Sequence, residues 1–339
     1  MNIIKSFKKN VIVLLIVTII VLFIVLKDDF NGIIEALRSI DIKYILLATV
    51  LYFMSVSLKG FVNYLIVNDK KKITIKEAIK HNVIAQFFNG VTPFSTGGQP
   101  MEIYMLTEHD IPMAKATTQT VQSFIFYQIA LVICGVAAVL YNFIFHIFPK
   151  VKLLQHLVLL GFLINVAVII ILFLLSRSKR VMKFISKISY KIIKLLKLKI
   201  TEEKVDEKFK EIYQGFQELK GRKQLVIVGV TLNILHLLCL YSIPLIIIYG
   251  LGDFTSISLI DTIVSSAYVY VIGAFVPIPG ASGGIEYGFT QFFGNFISLG
   301  ELSAVLILWR FITYYVGIIA GALIFNFEKK VQNEDRNIF

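Results

Sequence analysis

The feature that most limits how this chain can fold is a set of apolar runs, each about as long as a bilayer is thick. A hydrocarbon core about 30 Å across takes roughly 20 residues of helix. Runs of this order cover about Val11–Leu26, Ile42–Val67, Val121–Phe148, Leu153–Leu175, Leu225–Tyr249 and Leu302–Phe327. Composition agrees: 57% of the 339 residues are hydrophobic and only 17% charged, against about 25% charged in a soluble domain. A folded chain of this size still leaves much of its surface in water, so no soluble core hides the excess. An ordinary soluble enzyme, a disordered protein and a secreted disulfide scaffold are excluded. Cys134 and Cys239 lie inside apolar runs and read as buried thiols rather than as a disulfide or zinc site.

Val11–Leu26 follows Lys5, Lys8 and Lys9, as the apolar middle of a signal peptide would. It lacks a small-residue cleavage site before Lys27, Asp28 and Asp29, which predicts an uncleaved first span. Two further apolar stretches are interrupted. Asn82–Leu106 contains Pro93, Gly97, Gly98 and Pro100, and Thr262–Leu299 contains Pro277, Pro279, Gly280, Gly283 and Gly284. Proline and glycine at this density stop a helix. In lipid, the freed backbone groups need cover from protein or a watery cavity. Each stretch is therefore predicted to be a re-entrant hairpin of two half-helices.

Charge fixes the expected orientation. The net charge is +12, which in a membrane protein points to cytoplasmic loops and anionic lipid rather than to nucleic acid. Lysines 5, 8 and 9, the lysine-rich segment 70–80 and residues 176–223, with 15 basic against 6 acidic side chains, are expected inside. Segments 27–43 and 250–261, acidic or nearly neutral, are expected outside, with both termini cytoplasmic. The count closes only if the first hairpin enters from the cytoplasm and the second from outside. The prediction is an all-α polytopic membrane protein with six full spans and two broken hairpins, in one integral membrane domain. Its halves, about 10–148 and 153–327, form an inverted-topology repeat of the kind found in secondary transporters. The breaks share a spelling: Pro93-Phe94-Ser95-Thr96-Gly97-Gly98 and Pro279-Gly280-Ala281-Ser282-Gly283-Gly284, followed by Glu102 and Glu286.

These motifs carry a resemblance. Gly90-Val91-Thr92-Pro93 with Gly97, Gly98 and Glu102, Val276-Pro277-Ile278-Pro279-Gly280 with Gly283, Gly284 and Glu286, and Trp309-Arg310-Phe311-Ile312-Thr313-Tyr314-Tyr315 resemble the recurring motifs of the lysylphosphatidylglycerol synthase transmembrane (flippase-like) family. The resemblance runs over roughly residues 10–327. It implies a lipid-flipping membrane domain, which full-length members join to a soluble, aminoacyl-tRNA-dependent transferase domain at the C-terminus. The present sequence ends at Phe339, shortly after the last apolar run. The expectation is therefore lipid translocation, with lysyl transfer left to a separate catalytic chain.

The candidate substrate-binding set is Glu102, Glu286, Arg310, Gly97, Gly98, Gly283, Gly284, Pro93 and Pro279. A carboxylate at membrane depth needs a partner or a watery cavity. Glu102 and Glu286 read either as sites for a cation, proton or lipid ammonium, or as caps of half-helix N-termini. The Gly-Gly pairs let backbone N–H groups approach a phosphate, or let helices pack closely. Ser95, Thr96 and Ser282 add hydroxyls. Arg310, eight residues inside the last run, suits a lipid phosphate or an ion pair with either glutamate. Geometry predicts that Glu102, Glu286 and Arg310 converge around the two Gly-Gly bends. Lys59 is expected to snorkel, and Asn165, Asn233 and His236 to hydrogen-bond between helices.

Arg177–Lys199 holds nine basic residues and no acid. Arg180, Lys183, Lys187, Lys191 and Lys194 recur at three- and four-residue intervals among apolar residues, a stripe suited to an anionic inner leaflet. Phosphate-loop, dinucleotide, HExxH, zinc and GxSxG patterns are missing from the sequence, so no ATP drive, hydrolysis or cofactor is expected. The expected ligand is anionic or lysylated phospholipid. The rival readings are a membrane component of phosphatidylglycerol lysyltransfer and a secondary carrier of a small solute.

Overall fold

The computed structural model of the chain describes residues 30–67, 72–148, 159–195 apart from some positions between 162 and 178, 200–273, 276 and 278–336. Every regular element among them is a helix. The predicted first span, about half of the run Leu153–Leu175, Pro149 and Pro277 lie outside the described residues.

In chain order the helices are α1 (Phe30–Ser39), α2 (Ile42–Val67), α3 (Ile75–Gly90), α4 (Gly98–Glu108), α5 (Met113–Phe145), α6 (Lys179–Leu195), α7 (Glu202–Leu219), α8 (Lys223–Gly250), α9 (Leu259–Gly273), α10 (Gly284–Phe293), α11 (Leu299–Arg310) and α12 (Val316–Arg336). α11 and α12 continue through a π-helical segment at Phe311–Tyr315. Four helices are long and apolar enough to cross a membrane: Ile42–Val67, Met113–Phe145, Lys223–Gly250 and Leu299–Glu328. These correspond to four of the six predicted spans.

Both interrupted stretches are broken helices. α3 starts on a capping box: Glu77 Oε2 accepts from the Thr74 N–H at 2.7 Å, and Thr74 Oγ1 accepts from the Glu77 N–H at 3.3 Å. It ends at Gly90, and Pro93 opens a single 3-10 turn, Pro93–Ser95. α4 then carries Pro100 in its first turn, where a missing N–H breaks no helical bond. In the second stretch, α9 ends at Gly273, Pro279 opens the 3-10 turn Pro279–Ala281, and α10 begins at Gly284. Each hairpin packs its two helices together, and the two 3-10 turns meet.

α2 and α8 form the most extensive helix pair, with α3 and α5 against α2, α9 against α8 and α12 against α3. The core they enclose includes Tyr52, Tyr241, Phe289 and Trp309, with Phe289 stacked on Trp309 at 4.8 Å between ring centroids. On the outside of α2, Ile42, Leu46, Val50 and Met54 form an exposed stripe at four-residue spacing. Such a stripe is a liability in water and an ordinary lipid-facing surface in a membrane helix.

Candidate functional site

Arg310 is the last residue of α11. At 1.5 Å per residue it stands about 17 Å along the helix from Leu299, comparable with half the thickness of a hydrocarbon core. It is 8% exposed, and Glu286, in the first turn of α10, is 7% exposed. Arg310 Nε lies 2.8 Å from Glu286 Oε1. One terminal guanidinium nitrogen donates to the Gly280 carbonyl at 3.1 Å and to Ser282 Oγ at 3.3 Å. The guanidinium also sits 4.5 Å from the Tyr314 ring centroid. A charge that is costly alone in lipid is thus paired, hydrogen-bonded and stacked.

Glu286 has a second task. Its Oε2 accepts from the Gly283 N–H at 2.6 Å, so the predicted capping role and the predicted ion pair coexist in one side chain. Tyr314 ties the two halves together: its hydroxyl donates to the Gly90 carbonyl at 2.7 Å, just before the first bend. Gly280 has φ +65°, and a Cβ there would fall 2.4 Å from Tyr314 Cζ. Only glycine lets the second bend approach this ring. Gly283, at φ +88° with open space around it, is required for its backbone conformation alone.

The first bend is built differently. The Gly97 N–H donates to Thr92 Oγ1 and the Gly98 N–H to Asn89 Oδ1, both at 2.8 Å. A Cβ on Gly98 would collide with the Asn89 amide at 2.4 Å. The amides of Gly97, Gly98 and Gly283, expected to face an anion, are held in this structure by the side chains of Thr92, Asn89 and Glu286. Gly284 is packed closely, its added Cβ falling 2.3 Å from Val276. Pro279 is buried, whereas Pro93 and the following three residues are exposed.

Glu102 does not join Arg310. No ion pair links them among the described residues. Glu102 lines a separate cavity with Asn63, His81, Gln119 and Thr120. The physical reason is helical register: Glu102 falls on the side of α4 that faces α2 and α5, away from the bends. Lys59 acts electrostatically on Glu102 and rests 5.1 Å from the Tyr127 ring centroid, so it is more than a snorkelling residue. His236 Nδ1 bonds the Ser55 carbonyl at 2.8 Å, and Asn165 Oδ1 accepts from Gln128 at 2.9 Å, both between helices as expected. Asn233 instead donates within its own helix to the Gly229 carbonyl, and its Oδ1 has no partner among the described residues.

Sequence reasoning missed Tyr314, Asn89 and Gln119 as site residues. The four-residue step from Arg310 to Tyr314 was a usable signal for a stacked pair. Gln119, Gln122 and Ser123 share one face of the apolar α5, a polar patch that pointed equally to buried hydrogen bonding. Asn89 carried no local signal, because its partner lies beyond the break.

On α6, Arg180, Lys183, Lys187, Lys191 and Lys194 are all exposed. Phe184, Ile188 and Leu195 are exposed beside them. Met182 and Ser186 are buried, and Ser186 hydrogen-bonds to Asp206 of α7.

Comparison with known proteins places the chain. A family model described as "Lysylphosphatidylglycerol synthase TM region" matches residues 10–321. A protein of Archaeoglobus fulgidus described as a UPF0104 membrane protein is 23% identical over 269 residues, covering 76% of this chain and 77% of that one. With nearly its whole length matched and its long apolar helices in place, this multi-pass membrane protein belongs to the lysylphosphatidylglycerol synthase transmembrane-region family.

Proposed function

We propose that the protein moves anionic or aminoacylated phospholipid, or a related lipid-linked substrate, between membrane leaflets, in a cell membrane and with both termini cytoplasmic. The observation that carries this reading is the buried Arg310–Glu286 pair at the junction of two broken helices, about halfway along a membrane-length helix. A guanidinium fork matches a phosphate in shape and charge. On this reading an arriving phosphate replaces the Gly280 carbonyl and Ser282 hydroxyl on Arg310. Glu286 is then left to balance the site or to meet a cationic head group. The inverted repeat, in which hairpins from opposite faces meet, supplies alternating access to one site.

The test is reconstitution in liposomes with labelled phosphatidylglycerol and lysyl-phosphatidylglycerol. Leaflet exchange that is lost in Arg310→Gln supports the reading, and exchange at the wild-type rate in a folded Arg310→Gln protein rejects the site. The matched family's description favours a second reading, a membrane component of lysyl-lipid synthesis acting with a separate catalytic chain. New lysyl-lipid formed with charged tRNA and that partner, without leaflet exchange, would select it. Uptake of a small solute instead of lipid would select a solute carrier.

A further inference from the structure

The base of the first hairpin carries two histidines that the Arg310 site does not use. His81 lies in the second turn of α3, soon after the lysine-rich segment 70–80, and His109 directly follows α4. Their rings meet across the hairpin with centroids 5.1 Å apart. His81 is 6% exposed, and His109 is half-buried between the exposed Glu108 and Asp110. One ring is thus sealed from water and the other partly meets it. This end of the hairpin is held by a small apolar cluster apart from the main core: Val67, Ile73, Ala78, Leu106, Ile111 and Ala116. The Lys72 ammonium adds a hydrogen bond to the Asp110 carbonyl at 2.6 Å. A small peripheral cluster opens at lower cost than a main core.

The charges that face the pair come from several elements. On α3, Glu77 acts electrostatically on both histidines and Lys80 on His81. Glu77 Oε2 already accepts from the Thr74 N–H at 2.7 Å and from the Thr74 hydroxyl at 2.8 Å. Lys80 is paired with Glu328 of α12. On α4, Glu102 lines the same cavity as His81 and has Lys59 of α2 as the cation acting on it. The polar groups that α2 and α5 bring to that cavity, Asn63, Gln119 and Thr120, are uncharged. Burial first, then His109 and Lys80, hold the His81 imidazole below its ordinary value, at about 4.

We propose that the two rings form a proton-operated clasp: as neutral imidazoles they let α4 close against α3, and their protonation releases the base of the first hairpin. Neutral rings pack together without charge, each with one donor and one acceptor. A first proton is offset by Glu77. A second sets two cations about 5 Å apart with one carboxylate to share, where water screens little. In the open hairpin His81 takes a proton at its ordinary value of about 6.5, whereas in the closed one it resists until about 4. The closed value is the lower one, so closure is fully favoured above about 6.5 and loses ground as pH falls. Between these limits the open-to-closed ratio rises about tenfold per pH unit. The inference goes beyond the proposed lipid movement, since it concerns control of the hairpin and holds whether or not lipid is moved.

The experiment measures the hairpin in the full chain in phosphatidylcholine nanodiscs. Cys134 and Cys239 are replaced by alanine, and spin labels are placed on Ile75→Cys and Tyr104→Cys, two exposed positions on α3 and α4. Pulsed electron–electron double resonance should give one short distance at pH 8. As pH falls from 6.5 to 5, a longer distance is expected to gain on it by about tenfold per unit, reversibly and with helical circular dichroism unchanged. His81→Gln should hold the short distance throughout, and His109→Gln should move the opening to lower pH. Glu77→Gln keeps a capping side chain and removes the compensating charge, so it should move the opening to higher pH. A distance that ignores pH, one that lengthens equally in wild type and both histidine variants, or lengthening only with loss of helix overturns the proposal. If His81→Gln does not fold, the opposite shifts of His109→Gln and Glu77→Gln decide it. Because the readout is a distance, it can fail while lipid exchange persists, and the reverse.

Discussion

At the residue scale, Arg310 and Glu286 act as one unit rather than as two independent charges. Removing one member of a buried pair leaves the other uncompensated, at about 3–5 kcal/mol, whereas removing both costs far less. Arg310→Gln should therefore lower the unfolding midpoint more than the double variant Arg310→Gln/Glu286→Gln does. A double-mutant cycle on thermal unfolding measures this, and additive effects would mean that the 2.8 Å contact is not coupled. Glycine positions give a second comparison. Gly280→Ala meets Tyr314 at 2.4 Å with φ +65° and should destabilise by roughly 1–3 kcal/mol. Gly135→Ala on α5 has its nearest neighbour at 3.8 Å and should be neutral or stabilising by up to about 1 kcal/mol. Equal midpoints for the two would contradict the close approach of the second bend to Tyr314. Tyr314→Phe keeps the ring under Arg310 and loses the bond to Gly90, for a cost of about 1 kcal/mol.

At the element scale, α6 presents exposed basic and apolar residues together while Met182 and Ser186 face the protein. Each such Lys or Arg near an anionic leaflet is worth about 1 kcal/mol and is screened by salt. Replacing Lys183, Lys187 and Lys191 by Gln in the full chain should therefore weaken enrichment of anionic over zwitterionic lipid around the purified protein, most visibly at low salt. Native mass spectrometry or lipid co-purification reads the effect, and an unchanged lipid profile would make α6 an ordinary solvated helix. The two hairpins differ in how their bends are held. Both contain positive-φ residues, Phe94 and Ser95 in the first and Gly280, Ala281 and Gly283 in the second, but Asn89 and Thr92 side chains stitch the first while an ion pair holds the second. The shared spelling of the breaks predicted where the chain turns, and it did not predict this difference.

At the scale of the whole molecule, the distribution of Lys and Arg predicts that α6 and α7 face the cytoplasm and the loop between α8 and α9 faces outside. In a background without Cys134 and Cys239, Lys208→Cys should react with an impermeant maleimide only after the cells are opened. Thr255→Cys, in the opposite loop, should react in intact cells. Labelling of both positions from outside would remove the opposed entry of the two hairpins on which alternating access depends.

Sequence alone determined the elements and their solvent. Apolar length set four membrane helices at Ile42–Val67, Met113–Phe145, Lys223–Gly250 and Leu299–Glu328, because a helix that satisfies its own backbone groups is the simplest way for a chain to cross lipid. Pro93 and Pro279 fixed the two breaks for an equally local reason, a missing N–H and a fixed φ. The partnerships of the buried polar groups belonged to the tertiary structure. Glu102 and Glu286 look alike in sequence, each after a Gly-Gly pair, but one lines the cavity with Gln119 and the other clasps Arg310. Helical phase and the packing of α10 against α9 and α11 made that choice, since a buried charge goes to whichever distant partner the folded helices bring within hydrogen-bonding distance. The same holds for Gly97 and Gly98, whose amides are claimed by Thr92 and Asn89 across a break that no local pattern spans.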